Sequence, residues 1–261
     1  MSIGKKRREA DRMRTIIVGD IHGCYKELKQ LLKDALFNLE NDYIVSLGDL
    51  MDRGNESYDV LRFFQELKEV MEDRCTIIRG NHEQLLINAA ASADVGDIEL
   101  WIQNGGIATI ASFRRNNKDA FQYQQWLEEN TVLYHIGNGY QCVHAGLADE
   151  DPKDNPAEML LWDRRVLELN LYSGRLTIVG HTPLKNAVYC NGLSIRYPAQ
   201  QIPYNKPCEL PETGLICLDT GCVFGNKLTA MVLEDDKPET GKAGVRRKKK
   251  RMFRLYAAER T

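Results

Sequence analysis

Apolar residues along this chain follow two rhythms. Short runs rich in β-branched residues, at 15–18, 43–47, 75–78, 140–143 and 176–179, lack polar alternation and read as buried strands. Between the first three lie stretches of helical period. Leu28, Leu31, Leu32 and Ala35 recur at i, i+3, i+4 and i+7, and Val60, Leu61, Phe64 and Leu67 repeat the pattern. Strand, helix, strand, helix, strand predicts βαβ units, a parallel sheet and right-handed crossovers. Residues 83–130 read as helical throughout, with breaks expected at Gly96 and at Gly105-Gly106. A helical excursion of that length predicts a cap beside the sheet. From about 132 the chain is strand-rich again, and 228–233 reads as a closing strand. The predicted organisation is an α/β body at 15–236 between a basic arm, 1–14, and a basic tail, 237–261.

Composition narrows this picture. A chain of 261 residues, 43% hydrophobic and 28% charged, has the balance of a globular protein, and its length suits one sizeable domain or two small ones. No apolar run approaches the roughly 20 residues of a membrane span, and the first 14 residues lack the apolar core of a signal peptide. The expected compartment is the cytoplasm. Seven cysteines, scattered and without a C-x-x-C pair, fit free thiols in a reducing milieu. Cys24 and Cys222 sit beside polar clusters described below, where an oxidant could affect them. The net charge of −2 conceals a segregation: the arm carries +4, residues 241–261 carry +8, and the body is left with −14. Three readings of the tail stay open. It is a solvated segment, or it meets an anionic partner such as nucleic acid, a membrane face or an acidic protein surface, or it folds back on the acidic body and screens the substrate groove.

The chemistry lies where the predicted strands end. Five polar clusters follow apolar runs: Gly19-Asp20-Ile21-His22-Gly23, Gly48-Asp49-Leu50-Met51-Asp52-Arg53-Gly54, Arg79-Gly80-Asn81-His82-Glu83, His144-Ala145-Gly146 and Gly180-His181-Thr182. In open α/β sheets, ligands bind beyond the carboxyl ends of strands, where neighbouring loops converge. Carboxylate, imidazole and amide oxygen together suit divalent Mn, Fe, Zn or Co. Asp20 and His22, two residues apart, can address one ion, and Asp49 is the natural bridge to a second. Any one cluster has a bland explanation as a turn or a packed histidine. Five in succession do not.

These motifs resemble the phosphoprotein-phosphatase branch of the calcineurin-like metallophosphoesterases. The likeness runs over roughly 15–234 and is nearest to compact bacterial and bacteriophage serine/threonine phosphatases such as that of bacteriophage lambda. The segments 101–106, 161–164 and 219–221 share it. The resemblance implies a β-sandwich of mixed sheets flanked by helices. It implies two divalent ions, Mn²⁺ foremost, with Asp20, His22 and bridging Asp49 on one and Asp49, Asn81, His144 and His181 on the other. It further implies Arg53 and Arg164 as a phosphate clamp, His82 as general acid and Asp52 as the carboxylate that orients it. The expected reaction is in-line attack by a metal-bridging hydroxide with no phosphoenzyme, since two ions about 3.5–4 Å apart need no side-chain nucleophile.

Two substrate classes follow. The G-D-x-x-D-R-G and G-N-H-E forms put a phosphoprotein or other phosphomonoester first. A dinucleoside polyphosphate or nucleotide-capped RNA end is the alternative. An inactive binding protein is a third reading, and the presence of every ligand argues against it. Of the remaining conspicuous residues, His135 reads as structural, Arg79 as either a phosphate contact or an ion-pair partner of the acidic body, and Trp101 and Trp126 as cap packing. The stretch 185–214, with four prolines, is expected to border the substrate groove.

Overall fold

The computed structural model describes residues 13–92, 94–170, 172–192, 199–234 and 251–261. Strands β1 (Arg14–Val18), β2 (Tyr43–Ser46) and β3 (Cys75–Ile78) run parallel, joined by helices α1 (Tyr25–Asp34) and α2 (Ser57–Met71). The excursion that follows contains α3 (Asn81–Ala91), α4 (Val95–Trp101), α5 (Ile107–Arg115) and α6 (Gln124–Asn130), and returns to the sheet as β4 (Thr131–Val132) beside β3. The first break falls earlier than expected: α3 ends at Ala91, and Gly96 lies in the first turn of α4, its N–H donated to the Asp94 cap at 2.9 Å. The second break is where it was expected, at Gly105, with φ of 108°.

The second half builds another sheet from β5 (Tyr134–Gly137), β6 (Tyr140–Val143), β7 (Thr177–Val179), β8 (Val188–Cys190), β9 (Gln200–Gln201) and β11 (Leu215–Cys217). Helices α7 (Ala157–Trp162) and α8 (Arg165–Glu168) lie between β6 and β7. The chain then rejoins the first sheet through β12 (Lys227–Glu234), antiparallel to β1. Strand β10 (Pro207–Glu209) also belongs to that sheet, so the described part of 185–214 supplies edge strands to both sheets.

The basic tail is the largest departure. Met252–Glu259 is a strand, β13, paired antiparallel with β12 over all eight residues and lying between β12 and β10. Its side chains alternate as a two-faced strand requires. Phe253 and Leu255 enter the core between the sheets, while Ala258 faces the helical layer. The chain terminus is fastened too: Glu27 of α1 accepts from Arg260 at 2.7 Å and from the Thr261 N–H at 3.0 Å. The basic arm as far as residue 12, and the basic cluster at 246–250, lie outside the described residues.

Layering follows from the same period of two. Ile16 and Val18 pack against α1 and α2, whereas Ile17, Val45, Leu47 and Ile78 meet Cys142, Ile178 and Ile216 of the opposing sheet. Beyond the second sheet, Val143, Val179 and Cys217 pack on Leu147 and Leu160. Helices, two mixed sheets and a further helical layer are the sandwich the resemblance implies. Among the described residues, no helix is long and apolar enough to cross a membrane.

Candidate metal centre

All five polar clusters lie at the carboxyl ends of parallel strands. Asp20 follows β1, Asp49 follows β2, Asn81 opens α3 after β3, His144 follows β6 and His181 follows β7. To aim its side chains inward, the backbone leaves ordinary geometry. His22, Asp49, Asp52, Arg53 and His181 have φ between 45° and 69°. Such conformations cost about 1–3 kcal/mol each and persist where the surroundings fix them. Gly80 is required for a related reason, because a Cβ there would collide with the Asp49 carboxylate.

Asp49 sits at the centre. Its Oδ2 is 3.3 Å from His22 Nε2, and its Oδ1 is 3.5 Å from His144 Nε2. The two oxygens of one carboxylate thus face different imidazoles. Both rings are held by their other nitrogen: His22 Nδ1 donates to the Met51 carbonyl at 2.8 Å and His144 Nδ1 to the Leu47 carbonyl at 2.7 Å. A carbonyl only accepts, so each bond fixes the tautomer and turns the Nε2 lone pair toward Asp49. Asn81 Oδ1 lies 3.0 Å from both His144 Nε2 and His181 Nδ1. Oxygen and nitrogen lone pairs converging in a buried site repel one another unless a cation stands among them. Asp20 Oδ2 accepts the His181 N–H at 2.9 Å, while Asp20 Oδ1 and His181 Nε2 are buried with no hydrogen-bond partner. Orphaned buried acceptors cost about 1–3 kcal/mol each. The donor set therefore fits divalent cations.

Protonation equilibria report the same crowding. Burial, then Asp219 and Asp49, raise the Asp20 carboxyl well above the usual range. Burial would raise Asp49 also, but His144, His82 and His22 together hold it well below. His181 is pushed down to about 2 by burial, His144 and Arg164, and stays neutral. Burial likewise lowers His144.

His82 Nδ1 binds Asp52 Oδ2 at 2.8 Å, leaving His82 Nε2 buried, unpaired and 3.9 Å from Asp49 Oδ2. Arg53 Nη1 lies 2.7 Å from His22 Nε2, and Arg164 Nη1 donates to the His181 carbonyl at 2.9 Å. All ten residues predicted for the site are therefore gathered in one contact network. Among the described residues, Arg79 does not form the ion pair expected of it: it donates to Thr131, Gln84 and the Glu128 backbone carbonyl, all neutral acceptors. His135 leans on Tyr140 away from the site.

Trp101 packs within the cap against Phe121, as expected, and it also reaches the site. Its ring is fully buried, yet its Nε1–H donates to Asp52 at 3.0 Å, and Thr109 Oγ1 donates to the same carboxylate at 2.6 Å. Glu83 was also missed as a site residue. It accepts from the N–H groups of Asp49, Leu50 and Gly80, each at 2.8 Å, and so pins two ligand loops together. Its burial and the Asp49 charge raise it to about 7. Its place after Asn81-His82 was the available signal. Buried Asp219, raised to about 6 chiefly by burial, lies in the segment 219–221 already singled out. Cys24 and Cys222 adjoin one another beside Glu27, so the two thiols noted in the sequence are neighbours.

Comparison with known proteins places this geometry. The family model of the calcineurin-like phosphoesterases matches residues 13–228. The chain is 29% identical over 245 residues to serine/threonine-protein phosphatase 1 of Salmonella typhimurium, covering 86% of this chain and 94% of that one. It is 28% identical over 281 residues to the symmetrical bis(5'-nucleosyl)-tetraphosphatase of Tolumonas auensis, covering 86% and 95%. Enzymes of the latter name also match from Marinomonas sp. and Vibrio campbellii, among others. Among solved structures, a metallophosphoesterase from Sphaerobacter thermophilus has a TM-score of 0.58 at 17% identity, covering 95% of this chain and 89% of that one. A protein serine/threonine phosphatase from Saccharomyces cerevisiae has 0.54 at 15%, covering 98% and 82%. These two likenesses concern the fold alone.

Proposed function

The chain belongs to the calcineurin-like phosphoesterase family, and we propose that it hydrolyses the phosphoanhydride chain of dinucleoside polyphosphates by a two-metal mechanism. The observation that carries the two-metal reading is Asp49, whose oxygens face two histidines already locked in the ligating tautomer. Asp20, His22 and Asp49 would hold one ion, and Asp49, Asn81, His144 and His181 the other, with Mn²⁺ the metal of choice. When bound, such a pair supplies a water nucleophile at neutral pH and neutralises charge on the phosphoryl oxygens. The rest is the work of the chain. Arg53 and Arg164 grip the phosphoryl group with planar, bidentate donors. His82, its Nδ1 proton held by Asp52, delivers the Nε2 proton to the departing oxygen.

The motifs alone favoured a phosphoprotein. The names of the relatives reverse that order, since symmetrical tetraphosphatases recur among them. Serine/threonine phosphatase activity stands as the second reading, on the Salmonella relative. Incubating Mn²⁺-loaded protein with diadenosine tetraphosphate and, in parallel, a phosphothreonine peptide separates the two. The proposal expects two ADP per dinucleotide and little phosphate from the peptide. Dephosphorylation of the peptide alone would restore the phosphoprotein reading.

A further inference from the structure

Two exposed aromatic rings adjoin residues of the metal centre, and neither has a part in the hydrolysis described above. Phe224 closes the short turn Cys222–Phe224 between β11 and β12. Its turn-mate Cys222 is buried, yet Phe224 itself is 63% exposed. The Arg53 guanidinium lies 5.5 Å from its ring centroid. Trp162 is the last residue of α7 and 40% exposed. Its ring stands edge-on to His181, 6.0 Å between centroids at 86°, and it lines an open hollow of about 360 Å³ with Pro156, Met159 and Asp163.

Contacts link both rings to the shared carboxylate. From Phe224 the network passes through Arg53 and His22 to Asp49, and from Asp49 it continues through His144, Asn81 and His181 to Trp162. Each ring is therefore joined to the shared carboxylate through a different branch of the network, and each lies next to one member of the arginine pair. Arg164 makes this true of Trp162, through the His181 carbonyl.

We infer that Phe224 and Trp162 are stacking platforms for the two nucleobases of a dinucleoside polyphosphate whose central anhydride lies over Asp49. The inference rests on the substrate reading above. Cleavage at the middle of a symmetrical substrate leaves one nucleoside diphosphate on each side of the metals. Two platforms, two arginines and one central carboxylate match that division. Aromatic stacking tolerates any base, because every base offers a π face, so the site would accept guanine and adenine alike. Neither ring touches the reacting phosphorus. They act on binding and on where the phosphate chain is centred.

Steady-state kinetics on diadenosine tetraphosphate test this with Phe224→Ala, Trp162→Ala, the double variant, Phe224→Tyr and Trp162→Phe, all as Mn²⁺-loaded full-length protein. Thermal melts verify that each is folded. Each alanine variant is expected to raise KM about tenfold with kcat little changed, as loss of binding uniform to ground and transition states requires. The double variant should approach the product of the two effects, and the aromatic replacements should retain wild-type KM. Calorimetry provides a second readout: the preference for ADP over pyrophosphate should narrow in each alanine variant and vanish in the double. An unmoved KM in folded alanine variants, or aromatic replacements no better than alanine, overturns the inference while leaving the substrate reading intact. Failure of the wild-type protein to release ADP from the dinucleotide overturns both.

Discussion

Asp52 receives Nδ1–H of His82, Nε1–H of Trp101 and the Thr109 hydroxyl, all in a fully buried pocket. A carboxylate so supplied keeps the His82 ring in one orientation, its Nε2 toward Asp49. Replacing His82 with Asn should therefore lower kcat by about 10²–10⁴ on substrates with a poor leaving group, the usual worth of a general acid. The loss should be far smaller on nitrophenyl phosphate, whose leaving group needs no proton. Equal losses on both, measured side by side, would remove the acid role. His82 and Asp52 could be read from the sequence because each belongs to a cluster that ends a strand. Trp101 and Thr109 could not. Their donors reach Asp52 only because α4 and α5 fold back across the loop after β2, and helical period records that a face is buried, not what it touches.

The C-terminal strand makes the same point for an element. β1, β2 and β3 were legible because strands covered on both faces are written as unbroken apolar runs. β13 was not, since Phe253 and Leu255 alternate with Arg254 and Tyr256 and directly follow a run of basic residues. The pattern was present, and the charge beside it concealed it. The two-residue strands β4 and β9 are too short to leave any pattern. Leu255 is fully buried between the sheets, so Leu255→Ala should destabilise the protein by about 2–5 kcal/mol in denaturant unfolding. A solvated tail would give no change.

The clasp at the end of the same strand should make stability depend on pH. Burial works to raise Glu27, but the bonds from Thr261 and the charge of Arg260 more than offset it, and its carboxyl lies below the ordinary value of 4.5. A depressed acid stabilises the fold wherever it is ionised, above the unfolded value, and loses that contribution as pH falls through the folded one. Thermal melts of wild type and Glu27→Gln should therefore differ between pH 6 and 8, and the gap should narrow progressively as pH falls below 4.5. A gap that stays constant throughout the acid range would assign the effect to packing instead.

At the scale of the molecule, sequence order and spatial order diverge. Candidate ligands separated by more than 160 residues, such as Asp20 and His181, meet because both sheets direct the carboxyl ends of their parallel strands to one edge. The candidate residues were legible one loop at a time. The pairing of sheets that assembles them was not, because an apolar run does not state which sheet it faces. Glu83 carries part of that assembly, holding the loop after β2 to the start of α3.

The central claim, one carboxylate shared by two ions, is tested most directly by counting metal. Titrating chelator-treated protein with Mn²⁺ by calorimetry, with elemental analysis after dialysis, should give two ions per chain for wild type. Asp49→Asn, verified as folded, should lose high-affinity binding at both sites, since the shared carboxylate charge would be gone from each. One ion retained at wild-type affinity in that variant would contradict the bridge.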